Sequence, residues 1–243
     1  MPHRFLRHFF VELLIVIPAY FVYFLVRGLV EGQESEAIRR AIDIIEFEQA
    51  LGLFWEPDLQ AQVLRFDLLV NLANWAYIWG HWPVIAVVAL WLFFFHRPNY
   101  AIFRNAFLIS GGIGLIIFAL LPTAPPRMLE AWGFVDTVTE RSQAYRTLQP
   151  PALVNQYAAM PSLHFGWNLL IGIALFGTAR VWPLRLFGLL MPLAMFAAVI
   201  ATANHFVLDP VAGAALALLG LLLASHRGVL TAIPTRSKLP RRA

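Results

Sequence analysis

The chain has 243 residues, of which 60% are hydrophobic and only 13% are charged. A soluble domain has about 45–50% apolar and about 25% charged residues, so this composition excludes an ordinary soluble protein and indicates one integral membrane domain. The absence of cysteine excludes disulfide bonds and thiol chemistry. The net charge of +4 does not indicate a nucleic-acid partner, because the basic residues lie in short loops and in the C-terminal tail, where they orient a chain in the bilayer.

The first predicted element is an apolar run from Phe9 to about Val30, preceded by the basic residues Arg4 and Arg7. A secretory signal peptide has a similar pattern. However, this apolar run is longer than a signal peptide needs, and no cleavage site of small residues follows it. We therefore expect a retained first membrane span.

Six segments are apolar and long enough, or nearly so, to cross a bilayer as a helix, which requires about 20 residues. They predict an all-α fold, a six-helix transmembrane bundle in one domain over residues 1–226, with a basic cytoplasmic tail at 227–243. The predicted spans cover roughly residues 9–30, 68–95, 103–121, 163–179, 183–203 and 207–224.

The segment between the first two spans has a different pattern. Ile38, Ile42 and Ile45 recur at near-helical spacing among acidic and basic residues. This pattern predicts an extra amphipathic helix at roughly residues 34–51, which lies on the membrane surface and does not cross it.

The third span contains three glycines, at positions 111, 112 and 114. No phosphate-binding loop surrounds them. We expect them to be positions where helices pack closely.

The basic residues predict the orientation of the bundle. With six spans, eleven of the 18 lysines and arginines fall on the side that holds both termini. The positive-inside rule then places both termini in the cytoplasm. We expect an integral protein of the plasma membrane, with the loops at 33–65, 122–161 and 204–209 on the extracytoplasmic face.

Three polar motifs fall on this predicted outer side, namely Pro122–Arg127, Asn155–His164 and Asn204–Asp209. Ionisable residues near a bilayer are rare, and they often mark function. The spans follow from apolarity alone, so the position of all three motifs on one side is independent support for a common site. We therefore expect the three motifs to form one site.

The residue types in these motifs predict phosphoryl transfer. Ser162 is placed to cap the fourth span, whose N-terminus is suited to a phosphate, and His164 lies one turn into that span. His205 and Asp209 are four residues apart, which puts both side chains on one helical face. A carboxylate that accepts a proton from one imidazole nitrogen makes the other nitrogen a better nucleophile.

These residues also have simpler interpretations. Ser162 can be a cap and nothing more, Asp209 before Pro210 can start a helix, and Arg127 can be an interfacial loop arginine. As a set, two histidines and an aspartate could instead hold a divalent cation in a metal-dependent hydrolase. A third interpretation is a small non-catalytic transporter, although transporters usually hold ionisable residues near the membrane midplane.

The motifs resemble those of a known family. Met160-Pro-Ser-Leu-His164 and the pair His205 and Asp209, followed by a glycine, are similar to the second and third motifs of the type-2 phosphatidic acid phosphatase superfamily. The loop Pro-Thr-Ala-Pro-Pro-Arg127, with Ala-Ala before Met160, resembles its inositol phosphorylceramide synthase-like, or inositol phosphotransferase-like, branch. The resemblance covers most of the chain.

The resemblance implies metal-independent chemistry in a six-helix membrane bundle, with no cofactor. His205 would be the nucleophile that forms a phosphohistidine, and Asp209 would orient and activate it. His164 would protonate the leaving oxygen, and Arg127 would bind phosphate. The substrate would be a lipid phosphate or a phospholipid in the lipid bilayer, and the acceptor would be water or an alcohol such as inositol.

Two features of the wider family pattern are missing. Its first motif, a lysine followed by arginine-proline, is absent from the predicted outer loops, since His96-Arg-Pro98 falls on the inner side. Ala198 and Val199 occupy the positions where the third motif carries serine and arginine. The synthase-like branch also tends to lack these features, which favours that branch over a plain phosphatase.

Phosphate binding is therefore expected to depend on Arg127, on Ser162 with the start of the fourth span, and on His81 or Arg146. Tyr77 and His81 lie on the second span, and the synthase-like branch carries a comparable tyrosine and histidine. We include both as candidate binding residues. The alternative is that they form hydrogen bonds between helices, because polar groups in lipid need partners.

Overall fold

The structure is a computed structural model that describes residues 2–29, 34–141 and 155–231. The described residues form α-helices and two short 3-10 helices but no β-strand, and one isolated β-bridge joins Thr123 to Ala158. The α-helices are α1 (Pro2–Leu29), α2 (Glu34–Ala50), α3 (Glu56–Leu64), α4 (Asp67–Trp79), α5 (Trp82–Phe95), α6 (Arg97–Leu120), α7 (Thr137–Arg141), α8 (Leu163–Thr178), α9 (Trp182–Ala201) and α10 (Leu208–Thr231).

Helices α6, α9 and α10 are long and apolar enough to cross a membrane, and α4 with α5 qualifies as one bent span. The described residues thus contain three such helices, or four candidate spans with the bent pair. Helix α8 and the apolar part of α1, Phe9–Tyr23, are shorter. The all-helical membrane fold is confirmed at this level, and the six-span bundle stays a prediction.

The second predicted span, residues 68–95, is divided into α4 and α5, whose axes differ by 44°. The break falls at Gly80 and His81, and Pro83 lies in the first turn of α5. Proline has no amide hydrogen and is tolerated at the start of a helix but not in its interior, so it favours a new helix here. The break places the His81 ring against α8, where it stacks on His164.

Helix α8 is central, because it packs against both α9 and α10, and α10 packs in turn against α6. Two glycines allow a close approach near the start of α8. A Cβ atom on Gly213 would collide with the carbonyl oxygen of Ser162, and one on Gly166 would collide with the carbonyl oxygen of Gly213. The backbone N–H of Ser162 donates to the carbonyl oxygen of Asp209 at 2.9 Å. The first turns of α8 and α10 are therefore held side by side.

The segment predicted as a surface helix, roughly residues 34–51, forms α2, and a second short helix, α3, follows it. Ala37, Ala41 and Ile45 form a buried face of α2, which packs against the loop after α6 and against Phe206. Phe47 is 56% exposed on the other side. Helix α2 thus covers the polar loops with one face, while its contact with a membrane surface stays a prediction.

Candidate active site

Four parts of the chain meet at one small polar cavity, namely α4, the loop after α6, the residues before and within the first turn of α8, and the turn between α9 and α10. Predicted site residues from four places in the chain line it together, and Asp209 lies directly behind His205. The lining consists of Tyr77, Pro125, Arg127, Asn155, Gln156, Ala158, Ala159, His164, Asn204 and His205.

His205 lies in the tight turn between α9 and α10. Ala203 has a φ of 52°, in the left-handed region that residues with a side chain rarely adopt. The carbonyl oxygen of Val199 accepts hydrogen bonds from the backbone N–H of both Asn204 and His205, at 3.0 and 3.1 Å. The side chain of Val199, which stands where the wider family carries arginine, is buried in an apolar cluster. This position therefore supports the turn through its backbone.

Asp209 holds the His205 ring in place. Oδ2 of Asp209 lies 3.2 Å from Nδ1 of His205 and accepts a hydrogen bond from the backbone N–H of Phe206 at 3.0 Å. Asp209 is fully buried, so its charge depends on such donors and on the positive end of α10. When Nδ1–H of His205 donates to the carboxylate, Nε2 carries the lone pair that a nucleophile needs.

His164 lies in the first turn of α8 and faces two aromatic neighbours. Its ring stacks on Tyr77, with centroids 4.5 Å apart, and on His81, with centroids 4.2 Å apart. The ring centroid of His164 is 6.2 Å from that of His205. Both rings line the same cavity, so a nucleophile and a general acid could face one substrate group there.

His81 supports His164 from outside the cavity. The side-chain amide of Asn168 lies 3.1 Å from Nδ1 of His81 and donates to the carbonyl oxygen of His164 at 2.8 Å. Because the amide is the donor, Nδ1 of His81 accepts, which places the proton of the neutral ring on Nε2. Asn168, which the sequence did not single out, thus fixes the tautomer of a predicted site residue.

Arg127 is tied to the His205 turn by two hydrogen bonds and to Asp136 by an ion pair. Its backbone N–H donates to the carbonyl oxygen of Ala203 at 2.8 Å, and Nη1 donates to Oδ1 of Asn204 at 2.7 Å. Nε lies 3.3 Å from Oδ2 of Asp136. These contacts hold the guanidinium in the cavity lining, where other N–H donors can meet an anion. Asn204 and Asp136 therefore orient the predicted phosphate ligand.

Ser162 and Arg146 differ from the other predicted binding residues. The hydroxyl of Ser162 accepts from the backbone N–H of Phe165 at 3.3 Å, so it caps α8. Ser162 is fully buried and is not part of the cavity lining. Arg146 lies outside the described residues.

Two buried glutamates near the site were not predicted. Oε1 of Glu56 accepts from the backbone N–H of Val207, and Oε1 of Glu48 accepts from the backbone N–H of Leu208, both at 2.8 Å. Both side chains are fully buried. They satisfy the first amide groups of α10, two and three residues beyond His205, so α2 and α3 hold the turn that carries the predicted nucleophile.

The two carboxyl groups share a dry environment. Burial, followed by a hydrogen bond to Glu56, raises the pKa of Glu48 to about 9. With both groups ionised, their Oε2 atoms would be buried acceptors with no hydrogen-bond donor among the described residues. A proton on Glu48 removes this conflict, because the protonated carboxyl donates to its partner.

One signal for Glu48 existed in the sequence. Glu48 continues the stripe of Ala41 and Ile45 on the buried face of α2, whereas Glu46 is exposed. A glutamate on an apolar stripe needs a buried partner. Glu56 has no such signal, since Pro57 makes it a plausible first-turn residue of a helix.

The described residues contain no group of three or more histidine, aspartate or glutamate side chains arranged to hold a metal ion. His164 and Asp209 contact different neighbours, and His205 lies between them. The arrangement suits a nucleophile, its orienting carboxylate and a separate acid.

Comparison with known proteins finds one family. No curated protein and no solved structure matches the chain. A family model described as the PAP2 superfamily matches residues 42–223, about three-quarters of the chain, and this match includes the loop after α6, α8 and the His205 turn. Members of this superfamily are generally phosphatases. The chain therefore belongs to the PAP2 superfamily.

Proposed function

We propose that the protein is a membrane-embedded, metal-independent enzyme that transfers a phosphoryl group from a lipid phosphate or phospholipid through a phosphohistidine at His205. Family membership supports phosphatase-type transfer on a membrane-associated substrate. The observation that carries the proposal is the convergence of His205 with its carboxylate, His164 and Arg127 around one cavity.

In the first step, Nε2 of His205 attacks phosphorus while the bond to the leaving oxygen breaks. His164 donates its proton to that oxygen, which departs as an alcohol or a diacylglycerol. Arg127 and the N-terminus of α8 neutralise charge on the remaining phosphoryl oxygens. Asp209 stabilises the positive charge that develops on the His205 ring.

In the second step, water or an alcohol attacks the phosphohistidine. His164, now neutral, accepts the proton of the attacking hydroxyl, and the bond from phosphorus to His205 breaks. Water gives a phosphatase, and an alcohol such as inositol gives a phosphotransferase of the inositol type. Helix α2 covers the loops around the cavity and would limit the access of water, which favours transfer.

The proposal includes a topology with six spans, both termini in the cytoplasm and the site on the extracytoplasmic face of the plasma membrane. The chain has no cysteine, so single-cysteine variants test this without background. We expect a membrane-impermeant maleimide to label Glu130→Cys but not Arg180→Cys in intact cells. Both positions are exposed. The reverse labelling would contradict the orientation and leave the chemistry intact.

The chemistry is tested with purified protein and a radiolabelled lipid phosphate in EDTA, with and without inositol. We expect the wild type to form an acid-labile phosphohistidine. The His205→Ala variant should form none, and its turnover should be lower than that of the wild type by about 10³-fold or more. Thermal unfolding of the variant serves as the folding control. Full turnover by a folded His205→Ala protein would exclude the proposal. Loss of activity in EDTA that a divalent cation restores would support the metal-dependent hydrolase.

A further inference from the structure

A second cavity, of about 330 Å³, lies between α1, α5, α6 and α8. Its walls are almost entirely apolar and include Tyr23, Ile85, Phe107 and Ile171. Its volume is in the range of ordinary ligand pockets. Two lining residues, Leu108 and Gly112, are also exposed on the outside of the bundle, so the cavity opens sideways, where a bilayer would surround the protein.

Charge is confined to one end of this cavity. Arg104 is the one charged residue in the described lining, and its guanidinium is 2.5 Å from the carboxylate of Glu12. This ion pair joins α6 to α1 at the Arg104 end of the cavity. Trp82 and Trp167 form the opposite end, with ring centroids 5.5 Å apart. A guest in this cavity therefore meets apolar walls along most of its length.

The tryptophan end adjoins the candidate active site. The Trp167 ring stacks on His81 at 5.9 Å with an interplanar angle of 5°, and His81 stacks on His164 at 4.2 Å. Ala158 lines the polar cavity and packs against the apolar cluster that contains Trp167. The stacked rings of His81 and Trp167 thus lie between the polar and the apolar cavity, which are neighbours in the order of the phosphate and the tail of a lipid.

We infer that this cavity binds one hydrocarbon chain of the substrate whose phosphoryl group reacts at His205; the inference rests on the proposed function. The hydrocarbon chains of the bilayer are as apolar as the cavity walls, so moving a chain from the bilayer into the cavity contributes little to substrate affinity. The cavity instead selects the chain by shape and fixes its position relative to the reacting phosphorus. Among substrates with the same phosphate group, the enzyme would then prefer those with a long linear chain to those with a short one.

Gly112 provides a sharp test. Gly112 lies at the open mouth of the cavity, because it belongs to the lining and is exposed, and no atom lies within 4 Å of the position of its Cβ. The sequence predicted close packing at all three glycines of this helix. Gly111 and Gly114 do meet Trp167 and Leu163, but Gly112 does not. The substitution Gly112→Leu therefore narrows the mouth of the cavity without a clash between its Cβ and a neighbouring helix.

The matched control is Gly177→Leu, because Gly177 also lies in a helix with open space at its Cβ and is not in the lining. The probes are octadecyl phosphate and butyl phosphate. We expect Gly112→Leu to lower the ratio of kcat/KM for the long over the short chain by about tenfold or more, through crowding. Gly177→Leu should keep the wild-type ratio. Equal ratios in all three proteins would overturn the inference.

A readout that does not need turnover separates this inference from the proposed function. An octadecyl phosphonate with a photoreactive diazirine at the chain end should label peptides of α1, α5 or α6 in the wild type, and Gly112→Leu should lose this label. Labelling confined to other helices would overturn the inference even if the enzyme is active. If Gly112→Leu does not fold, Gly112→Ala should show the same change in smaller degree, and an unchanged labelling pattern in it would count against the cavity.

Discussion

Two helix N-termini meet at the candidate site, and they are capped in different ways. Helix α8 is capped from within its own segment, because Ser162 accepts from Phe165 three residues later. Helix α10 is capped by Glu56 and Glu48, which are 151 and 160 residues away from the amides they bind. The first cap can form as soon as the helix does. The second requires α2 and α3 to be in place.

The caps also differ in charge. A neutral hydroxyl caps α8, so the positive end of this helix remains available to a phosphate. Three carboxyl groups already surround the start of α10, namely those of Glu48, Glu56 and Asp209. An additional anion is therefore favoured at α8 and disfavoured at α10. This contrast explains why His205, on the α10 side, suits the nucleophile, while the start of α8 suits the phosphoryl oxygens.

Of the changes to the two caps, the largest effect is expected from removing the distant cap of α10. Glu56→Ala leaves the buried N–H of Val207 without an acceptor and creates a cavity, which should cost about 3 kcal/mol in the free energy of unfolding. The His205 turn loses its support, so kcat should fall by about a hundredfold. Thermal unfolding and turnover measure the two effects. The control is Asp58→Ala on the same helix, at an exposed position; equal behaviour of the two variants would refute the role of the distant cap.

An intermediate, pH-dependent effect is expected at Glu48. Its pKa is raised from 4.5 to about 9 in the folded protein, so the folded state holds a proton that the unfolded state releases in this window. Stability from this group is complete below pH 4.5 and is lost as the pH rises towards 9. Glu48→Gln keeps an acceptor for Leu208 and supplies a permanent donor to Glu56.

We therefore expect the melting temperature of Glu48→Gln, relative to the wild type, to increase steadily between pH 4.5 and pH 9. Glu46→Gln removes the same charge at an exposed position of α2 and should show no such increase. Parallel pH profiles for the two variants would contradict the shared proton.

The smallest effect is expected at the local cap of α8. Ser162→Ala should lower the free energy of unfolding by about 1 kcal/mol, the usual contribution of a serine N-cap. Turnover should change little, because Ser162 is not in the cavity lining. Ser225→Ala, which removes a hydroxyl near the other end of α10, is the control. A loss of activity as large as that of Glu56→Ala would mean that the Ser162 hydroxyl contacts the substrate.

The parts of the site that could be predicted are those with short-range patterns. The pair His205 and Asp209 could be recognised because a four-residue spacing on a helix brings two side chains together. Ser162 could be recognised as a cap for the same reason. The break at His81 could not be predicted from apolarity, since an apolar run of sufficient length looks the same whether it is straight or bent by 44°. Only Gly80 and Pro83 indicated where it could bend.

The residues that orient the site were not predictable in the same way. Asn168 and Glu56 contact His81 and the His205 turn from distant parts of the chain, and Asp136 reaches Arg127 across an irregular loop that has no helical spacing. The sequence around a polar residue does not indicate its hydrogen-bond partner when that partner is far away in the chain. Such contacts become visible only when packing has chosen which faces meet.

The sequence by itself determined that the protein is helical and membrane-embedded, and it supplied the two histidines, the aspartate and the arginine in motifs that match a superfamily. These properties follow from composition and from motifs whose residues are less than two helical turns apart, and neither depends on which helices pack together. The tertiary structure decided that the motifs share one cavity and that two remote glutamates hold the start of the helix that follows His205. It also placed an apolar cavity behind Trp167. Those depend on close packing of α8 against α10 and of α2 over the loops, which no local pattern specifies.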